Sequence, residues 1–161
     1  MSNDERSAAL ADPAVRVTRD GPVALVMLAR AAKANAMDVE VTCALLDAVR
    51  SLCESGDVRA MVLTGDGTAF SAGGDIQTIR EMGVDRGVRN AILGKHQELF
   101  WVMTRLPFPS VAAVNGAAVG AGVTVALLCD LVVMAPDAFL SDPRVALGCS
   151  TARAELCCGR C

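Results

Sequence analysis

Residues 111–135 read VAAVNGAAVGAGVTVALLCDLVVMA, and this stretch decides the fold. Its first 19 residues carry no charge, a length that meets the criterion for a membrane-spanning helix. The character of the stretch changes midway, however. A short apolar run typical of a buried strand leads into a turn at Asn115 and Gly116, a helix beginning near Gly120, and a second apolar strand over 131–135. We therefore expect a buried strand, turn, helix and strand inside a soluble α/β core, with no membrane partner.

Strands also alternate with helices upstream of this stretch. The turn-forming residues 20–22 separate two β-rich runs and predict a hairpin. Apolar residues at spacings of three and four predict a helix over about 38–54, with Asp38 as its N-cap. Residues 60–64 predict a buried strand, 65–75 a loop of small residues, and 88–106 a helix that ends before two prolines. The alternation predicts an α/β fold with a largely buried sheet.

The composition describes one globular domain with a small acidic excess. The chain has 161 residues, 53% apolar and 3% aromatic, which suffices for one hydrophobic core but not for two domains. With 15 basic against 18 acidic residues the net charge is −3, so we do not expect a nucleic acid as partner. Residues 1–13 are polar and acidic, unlike a secretory signal. A cytoplasmic location is expected, where reducing conditions disfavour disulfides.

The seven cysteines fall into two groups. Cys43, Cys53 and Cys129 lie on apolar helical patterns and are expected to be core thiols. The other four lie in the last 13 residues, CSTARAELCCGRC (149–161), which have no developed period. Their spacing fits paired zinc ligands poorly, so no metal site is predicted. We divide the chain into a domain at 1–148 and a Cys-rich tail at 149–161 that is expected to be non-native or disordered.

Two glycine-rich loops each follow a predicted buried strand. They are GDGTAFSAGGDI (65–76) and NGAAVGAG (115–122). A strand that ends in small residues and leads into a helix presents unpaired backbone N–H groups where the helix dipole favours negative charge. Two such loops facing each other could polarise one carbonyl oxygen. Tight packing of helix on strand selects the same residues, and from the residues alone the two interpretations stand equal. A dinucleotide loop or a P-loop fits less well, because their full glycine and lysine patterns are absent.

Three segments resemble the enoyl-CoA hydratase/isomerase family, the crotonases. They are ARAAKANAMD (29–38), AMVLTGDGTAFSAGGDI (60–76) and PFPSVAAVNGAAVGAGVTVALLCDLVVMAPDAFLSDPRVALG (107–148). The resemblance covers roughly 15–148 in unbroken order, which is far more specific than one glycine loop. It implies an α/β, crotonase-like spiral of ββα repeats that binds an acyl-CoA thioester. Coenzyme A then arrives with the substrate, and no separate cofactor is implied.

The resemblance also implies which residues form the site. It places an oxyanion hole at two backbone N–H groups, those of Gly74 and Ala121, which would stabilise the enolate of the thioester. Arg30 and Lys33 would lie near the CoA phosphates, or they are solvated surface charges. The residues that the family uses to line its CoA and acyl path correspond to Ala34, Ala36, Asp75, Ile76 and Gln77.

The sequence departs from the family where hydratases keep their catalytic carboxylates. The two positions that carry glutamate in those enzymes hold Thr124 and Arg144, and neither side chain exchanges a proton as a carboxylate does. Asp75 is expected to cap the helix that follows it, and Asp142 to fix a turn. His96 is the only histidine in the sequence and is expected to pack or lie at the surface. The sequence therefore predicts enolate stabilisation with weak or no hydration, or else a non-catalytic acyl-CoA-binding remnant.

The resemblance stops at Gly148. The family's further glycine-rich stretch, and the C-terminal helical region that covers its site and builds its homotrimer, are not recognisable in the sequence. The abrupt change to Cys, Arg and Gly predicts a frameshifted or truncated member of the family, with deliberate shortening as the alternative. The homotrimer that the resemblance implies is accordingly not expected of this chain.

Overall fold

The computed structural model describes residues 13–143. Within them lie eight strands and four α-helices. The strands are β1 (Val15–Asp20), β2 (Val23–Leu28), β3 (Ala60–Gly65), β4 (Ala69–Ser71), β5 (Ser110–Val114), β6 (Ala117–Val119), β7 (Leu131–Met134) and β8 (Leu140–Ser141). The helices are α1 (Val39–Ser55), α2 (Ile76–Val84), α3 (Arg86–Met103) and α4 (Ala121–Leu127), with a 3-10 helix at Ala31–Lys33.

The strands form two sheets, between which the chain alternates from β3 onward. The larger sheet has the order β1-β2-β3-β5-β7, antiparallel in the β1–β2 hairpin and parallel elsewhere. The smaller sheet is parallel, with the order β4-β6-β8. Strands β4, β6 and β8 follow β3, β5 and β7 along the chain, so each turn after the β1–β2 hairpin adds one strand to each sheet. Helices follow β4 and β6, and the predicted α/β spiral of ββα repeats is confirmed.

The order of the larger sheet brings the two glycine-rich loops together. Strands β3 and β5 are parallel neighbours, with Thr64 opposite Ala113 near their carboxyl ends. The loops that follow these strands therefore leave the sheet side by side. Asn115 joins the loops, because its Oδ1 accepts from the Gly65 N–H at 3.2 Å and its Nδ2 donates to the Gly67 carbonyl at 2.9 Å.

Helix α1 matches its prediction and supplies much of the core. Its N-cap is Asp38, whose Oδ1 accepts from the Val41 N–H at 2.8 Å, and Gly56 with a φ of +70° ends it. One face of the helix is buried and α1 packs on α3, β1 and β2, so an apolar stripe at helical spacing becomes the hydrophobic interior. The buried apolar residues of α1 are Val41, Leu45, Leu46, Val49 and Leu52.

Some local predictions were wrong. The segment 65–75 was expected to be a loop, but it contains β4, and β6 likewise follows what was predicted as a simple turn. Each of these strands has only three residues, too few to show a period of two. The helix predicted over 88–106 begins earlier, at Arg86, and ends at Met103.

The three cysteines that were expected to be core thiols differ in burial. Cys129 is buried, and burial raises the pKa of its thiol to about 11. Cys43 and Cys53 are only half-buried, because they flank the apolar stripe of α1 rather than lie on it.

Residues 111–129 form most of β5, then β6 and α4, as the change of character within the stretch predicted. No helix within 13–143 is both long and apolar enough to span a bilayer. The predictions for Arg144, for the boundary at 148/149 and for the Cys-rich tail lie outside the described residues.

Within residues 13–143, both sheets end at one side in a strand that carries or follows exposed apolar side chains. Strand β7 closes the larger sheet, and its Leu131 and Val133 are 63% and 61% exposed. Strand β8 closes the smaller sheet, and Phe139 just before it is 54% exposed. An apolar edge strand presents unpaired backbone N–H and C=O groups next to exposed apolar side chains, a combination that promotes pairing with another chain.

Candidate functional site

The two glycine-rich loops touch at Gly73. This residue has a φ of +84°, and a Cβ atom placed on it would lie 2.4 Å from the Val119 carbonyl oxygen and 3.4 Å from the Ala121 nitrogen. A Cβ on Gly122 would lie 2.7 Å from the Cβ of Ser71. Only glycine fits where two backbones approach this closely. The sequence-based expectation that the loops face each other is therefore met, and tight packing is part of the reason for their glycines.

The Gly74 amide is aimed by its neighbour. The Gly73 carbonyl accepts a hydrogen bond from the Met37 N–H at 2.7 Å. Because the peptide unit is planar and trans, the N–H of Gly74 points opposite to that carbonyl, away from Met37. Within 13–143 this N–H has no hydrogen-bond acceptor. Among the described residues, Gly74 therefore has a backbone donor without a partner, in the loop that packs against Ala121.

Ala121 presents the second backbone donor. It is the first residue of α4, where an N–H has no acceptor within the helix, and none is found among the other described residues. Gly120 precedes it with a φ of +50° and donates its own N–H to the Ser141 carbonyl at 2.9 Å. At this turn the Gly120 N–H is therefore bonded to β8, and the Ala121 N–H has no acceptor within 13–143.

Thr124 lies one helical turn after Ala121 and is exposed. Its hydroxyl donates back to the Gly120 carbonyl at 3.3 Å. A hydroxyl that bonds its own helix backbone neither carries a charge nor accepts a proton near neutral pH.

The segment between β2 and α1 forms the third side of the region. Ala34 and Asn35 both have positive φ, at +47° and +54°, which is uncommon for residues with a Cβ. The Ala72 N–H donates to the Ala34 carbonyl at 2.8 Å, so this segment lies directly against the loop that carries Gly74. Ala36 is half-buried in the same turn.

Asn35 is the residue that sequence reasoning missed. Its side chain is fully buried and makes three hydrogen bonds to backbone: Oδ1 accepts from Arg30, and Nδ2 donates to the Asp66 and Ala69 carbonyls at 2.9 and 2.8 Å. The one signal in the sequence was an asparagine among alanines, because Asn tolerates positive φ better than most residues. Two of the three partners, Asp66 and Ala69, lie 31 and 34 residues away along the chain, so the role itself had no local signature.

Asp75 caps α2, as expected. Its Oδ1 accepts from the Thr78 N–H at 2.9 Å and from the Thr78 hydroxyl at 3.1 Å. The backbone bond from Thr78 is the main cause of a lowered pKa at Asp75, and the nearby positive charge of Lys33 adds to it. Ile76 is 68% exposed, and the exposed Gln77 donates to Glu81. These residues lie at the surface beside the Gly74 loop.

The two basic residues before α1 behave differently. Arg30 is paired with Glu40 and with Asp38, and its hydrogen bond with Glu40 is the main cause of a raised pKa. Lys33 is exposed and close enough to Asp75 to affect its pKa. Of these two residues, Lys33 is the better placed to meet an anionic ligand.

His96 packs between α3 and α1, where its Nε2 lies 3.4 Å from the Thr42 hydroxyl oxygen. That hydroxyl donates to the Asp38 carbonyl, which leaves its oxygen to accept from His96. Burial lowers the pKa of the imidazole. The contact that His96 makes is with a helix rather than with either glycine-rich loop, in agreement with the expected packing role.

The chain matches the enoyl-CoA hydratase/isomerase family model over residues 18–156. A putative enoyl-CoA hydratase of Thermus thermophilus is 40% identical over 131 residues, which are 80% of this chain and 51% of that protein. The enoyl-CoA hydratase/isomerase structure from Mycobacterium paratuberculosis has a TM-score of 0.80 at 35% identity, covering 84% of this chain and 55% of the other. A putative enoyl-CoA hydratase from Thermobifida fusca, solved in complex with acetoacetyl-CoA, has a TM-score of 0.76 at 30% identity and covers 86% and 57%.

The chain spans about half the length of the curated relatives that it matches. The family match runs past Gly148, and the boundary expected there stays a prediction. The match covers most of the chain, and solved members at 30% identity or more share its fold. On this evidence the chain belongs to the enoyl-CoA hydratase/isomerase family.

Proposed function

We propose that this chain binds an acyl-CoA thioester with the thioester oxygen between the N–H groups of Gly74 and Ala121. The observation that carries the proposal is the contact between the two loops at Gly73, with both amides left without an acceptor among the described residues. The acetoacetyl-CoA bound by the Thermobifida fusca relative supports the ligand class. Coenzyme A would run past Lys33 along the path formed by Ala34, Ala36, Asp75, Ile76 and Gln77.

Two backbone donors stabilise a thioester enolate because negative charge develops on that oxygen when the α-carbon loses its proton. Donors that are already in place need no reorganisation at the moment of reaction, and each is typically worth about 100- to 1,000-fold in rate. The donor at residue 121 is a main-chain group, so its alanine side chain does not remove it.

Weak hydration follows from the residue on α4. A hydratase must position and deprotonate water, and general acid–base groups contribute roughly 100- to 10,000-fold each. Thr124 offers a hydroxyl that is bonded to its own helix. This favours a second candidate function, acyl-CoA binding without turnover. Arg144, the other substituted position, lies outside the described residues.

Titration of the full chain with acetoacetyl-CoA tests the binding proposal, and the loss of enoyl absorbance of crotonyl-CoA tests turnover. We expect saturable binding of acetoacetyl-CoA and little hydration. Absence of binding would refute the proposed function. Hydration within about tenfold of an ordinary hydratase would refute the assignment of Thr124 as a lost catalytic position.

Carboxylates placed back at the two substituted positions test the same assignment from the other side. Thr124→Glu or Arg144→Glu alone should raise hydration little, because one carboxylate without the other leaves water wrongly oriented or protonated. The double variant should exceed the product of the two single effects, since groups that act on one water are strongly non-additive. Strict additivity would contradict the proposed roles.

A further inference from the structure

Ser71 is a buried hydroxyl that the proposed chemistry does not use. The residue is fully buried at the end of β4. Its Oγ donates to the Asn35 carbonyl at 2.8 Å and accepts from the Gly73 N–H at 3.2 Å. The hydroxyl therefore links the segment before α1 to the residue next to the Gly74 donor.

The acceptor of that hydroxyl is itself held firmly. The Asn35 side chain makes its three backbone hydrogen bonds in full burial, and its own N–H donates to the Arg30 carbonyl at 2.9 Å. Backbone in the left-handed region persists at a non-glycine residue only when its surroundings hold it there. The Asn35 carbonyl thus has a fixed position, and the Ser71 hydroxyl bonded to it can orient the Gly73 N–H.

Gly73 is held at both ends by this arrangement. Its N–H is bonded to Ser71 Oγ, and its carbonyl accepts from the Met37 N–H at 2.7 Å. With both bonds in place, neither the φ nor the ψ of Gly73 is free to turn, although glycine is the most permissive residue. The Gly73–Gly74 peptide plane then has one direction, and that plane carries the Gly74 N–H.

We propose that Asn35 and Ser71 form a positioning clamp for the Gly74 amide, which makes Ser71 a positioning residue of the oxyanion hole. The clamp rests on the proposed function. Without the Ser71 hydroxyl, the Gly73 N–H loses its acceptor, and the Gly73–Gly74 peptide plane that carries the Gly74 N–H can change its orientation. Donors must be held to within about 0.5 Å of the productive geometry to act on a developing charge.

Ser110 provides a matched control. It is also buried, at 1% exposure, and its Oγ also makes two hydrogen bonds, donating to Asp130 Oδ2 at 2.8 Å and accepting from the Asp130 N–H at 3.1 Å. It begins β5, whereas the second glycine-rich loop follows the other end of that strand. Ser110→Ala therefore removes the same number of hydroxyl bonds without touching the clamp.

The experiment compares Ser71→Ala, Ser71→Cys and Ser110→Ala in the full chain. The ligand-free readouts are nitrogen relaxation of the Gly74 amide and hydrogen exchange of the Gly73 amide. The ligand readout is the affinity for acetoacetyl-CoA and the carbonyl stretch of its bound thioester. Ser71→Ala should make the Gly74 amide more mobile, speed exchange at Gly73, and weaken acetoacetyl-CoA by about three- to tenfold, as the loss of one hydrogen bond predicts. The thioester carbonyl of acetoacetyl-CoA bound to Ser71→Ala should be less polarised, which raises its stretching frequency relative to the wild-type complex.

Ser110→Ala should lower stability comparably but change affinity less than about twofold, because its bonds lie at the far end of the strand. Ser71→Cys keeps a weaker donor and acceptor and should fall between wild type and Ser71→Ala; it also serves if Ser71→Ala does not fold. An unchanged Gly74 amide in the Ser71 variants, or equal changes in Ser110→Ala, would overturn the clamp. If the wild-type chain does not bind acetoacetyl-CoA, the proposed function fails, and the ligand-free measurements still decide the clamp.

Discussion

Gly73→Ala tests whether the two loops depend on their close contact. The new Cβ would lie 2.4 Å from the Val119 carbonyl oxygen, well inside van der Waals contact, so the backbones must separate by roughly 1 Å. Residue 73 also has a φ of +84°, where a residue with a Cβ costs about 1–2 kcal/mol. Forced repacking adds about 1–3 kcal/mol. We expect the free energy of unfolding to fall by about 2–5 kcal/mol in total.

Gly56→Ala separates strain from clash. Gly56 has a φ of +70°, but a Cβ there would meet no atom within 4 Å. The free energy of unfolding should fall by only about 1 kcal/mol. The backbone strain is partly offset because alanine lowers the conformational entropy of the unfolded chain, which stabilises the folded state by about 0.4–1 kcal/mol. Urea unfolding followed by circular dichroism measures both variants. Acetoacetyl-CoA titration should show that only Gly73→Ala loses binding, because separating the two loops by roughly 1 Å lengthens the hydrogen bonds that the Gly74 and Ala121 amides are proposed to make to one oxygen. Equal stability and equal binding in the two variants would refute the contact between the loops.

Three further predictions follow from the packing. Asn35→Asp would place a carboxylate against the two backbone carbonyls that accept hydrogen bonds from the Asn35 amide group. The free energy of unfolding in urea at neutral pH should fall by at least about 3 kcal/mol. A fall of less than about 1 kcal/mol would contradict the hydrogen bonds assigned to Asn35. Burial lowers the pKa of His96 below the value of 6.5 in the unfolded chain, so the unfolded state binds the proton first and stability should fall as the pH drops through about 6.5. His96→Gln should flatten that part of the urea midpoint against pH, and an unchanged slope would show that His96 is not its source. Strand β7 is the last strand of the larger sheet within residues 13–143 and exposes Leu131 and Val133, so we expect the chain to self-associate through it. Val133→Lys should reduce that self-association in light scattering, whereas Val84→Lys, at 93% exposure on a helix, should not; equal effects would point to charge alone.

The longer elements were readable from sequence because each carries its own period. The β1–β2 hairpin, α1, β3, β5 and β7 have four or more residues, and their apolar spacing or turn residues identify them without reference to the rest of the chain. Strands β4 and β6 have three residues each and were missed. They are strands because each pairs with a neighbour brought alongside by the larger sheet, a cause that no local pattern carries.

The candidate site divides in the same way. Sequence by itself determined where the two glycine-rich segments lie, the capping role of Asp75 and the absence of a carboxylate at residue 124, since these depend on residue type and on neighbours a few positions away. Only the tertiary structure decided that Gly73 lies against Val119, that the Gly74 amide points away from Met37, and that Ser71 links Asn35 to Gly73 by hydrogen bonds. Asn35 lies 31 to 36 residues along the chain from Asp66, Ala69 and Ser71, and a buried polar group is satisfied by whichever backbone or hydroxyl group the fold brings to it.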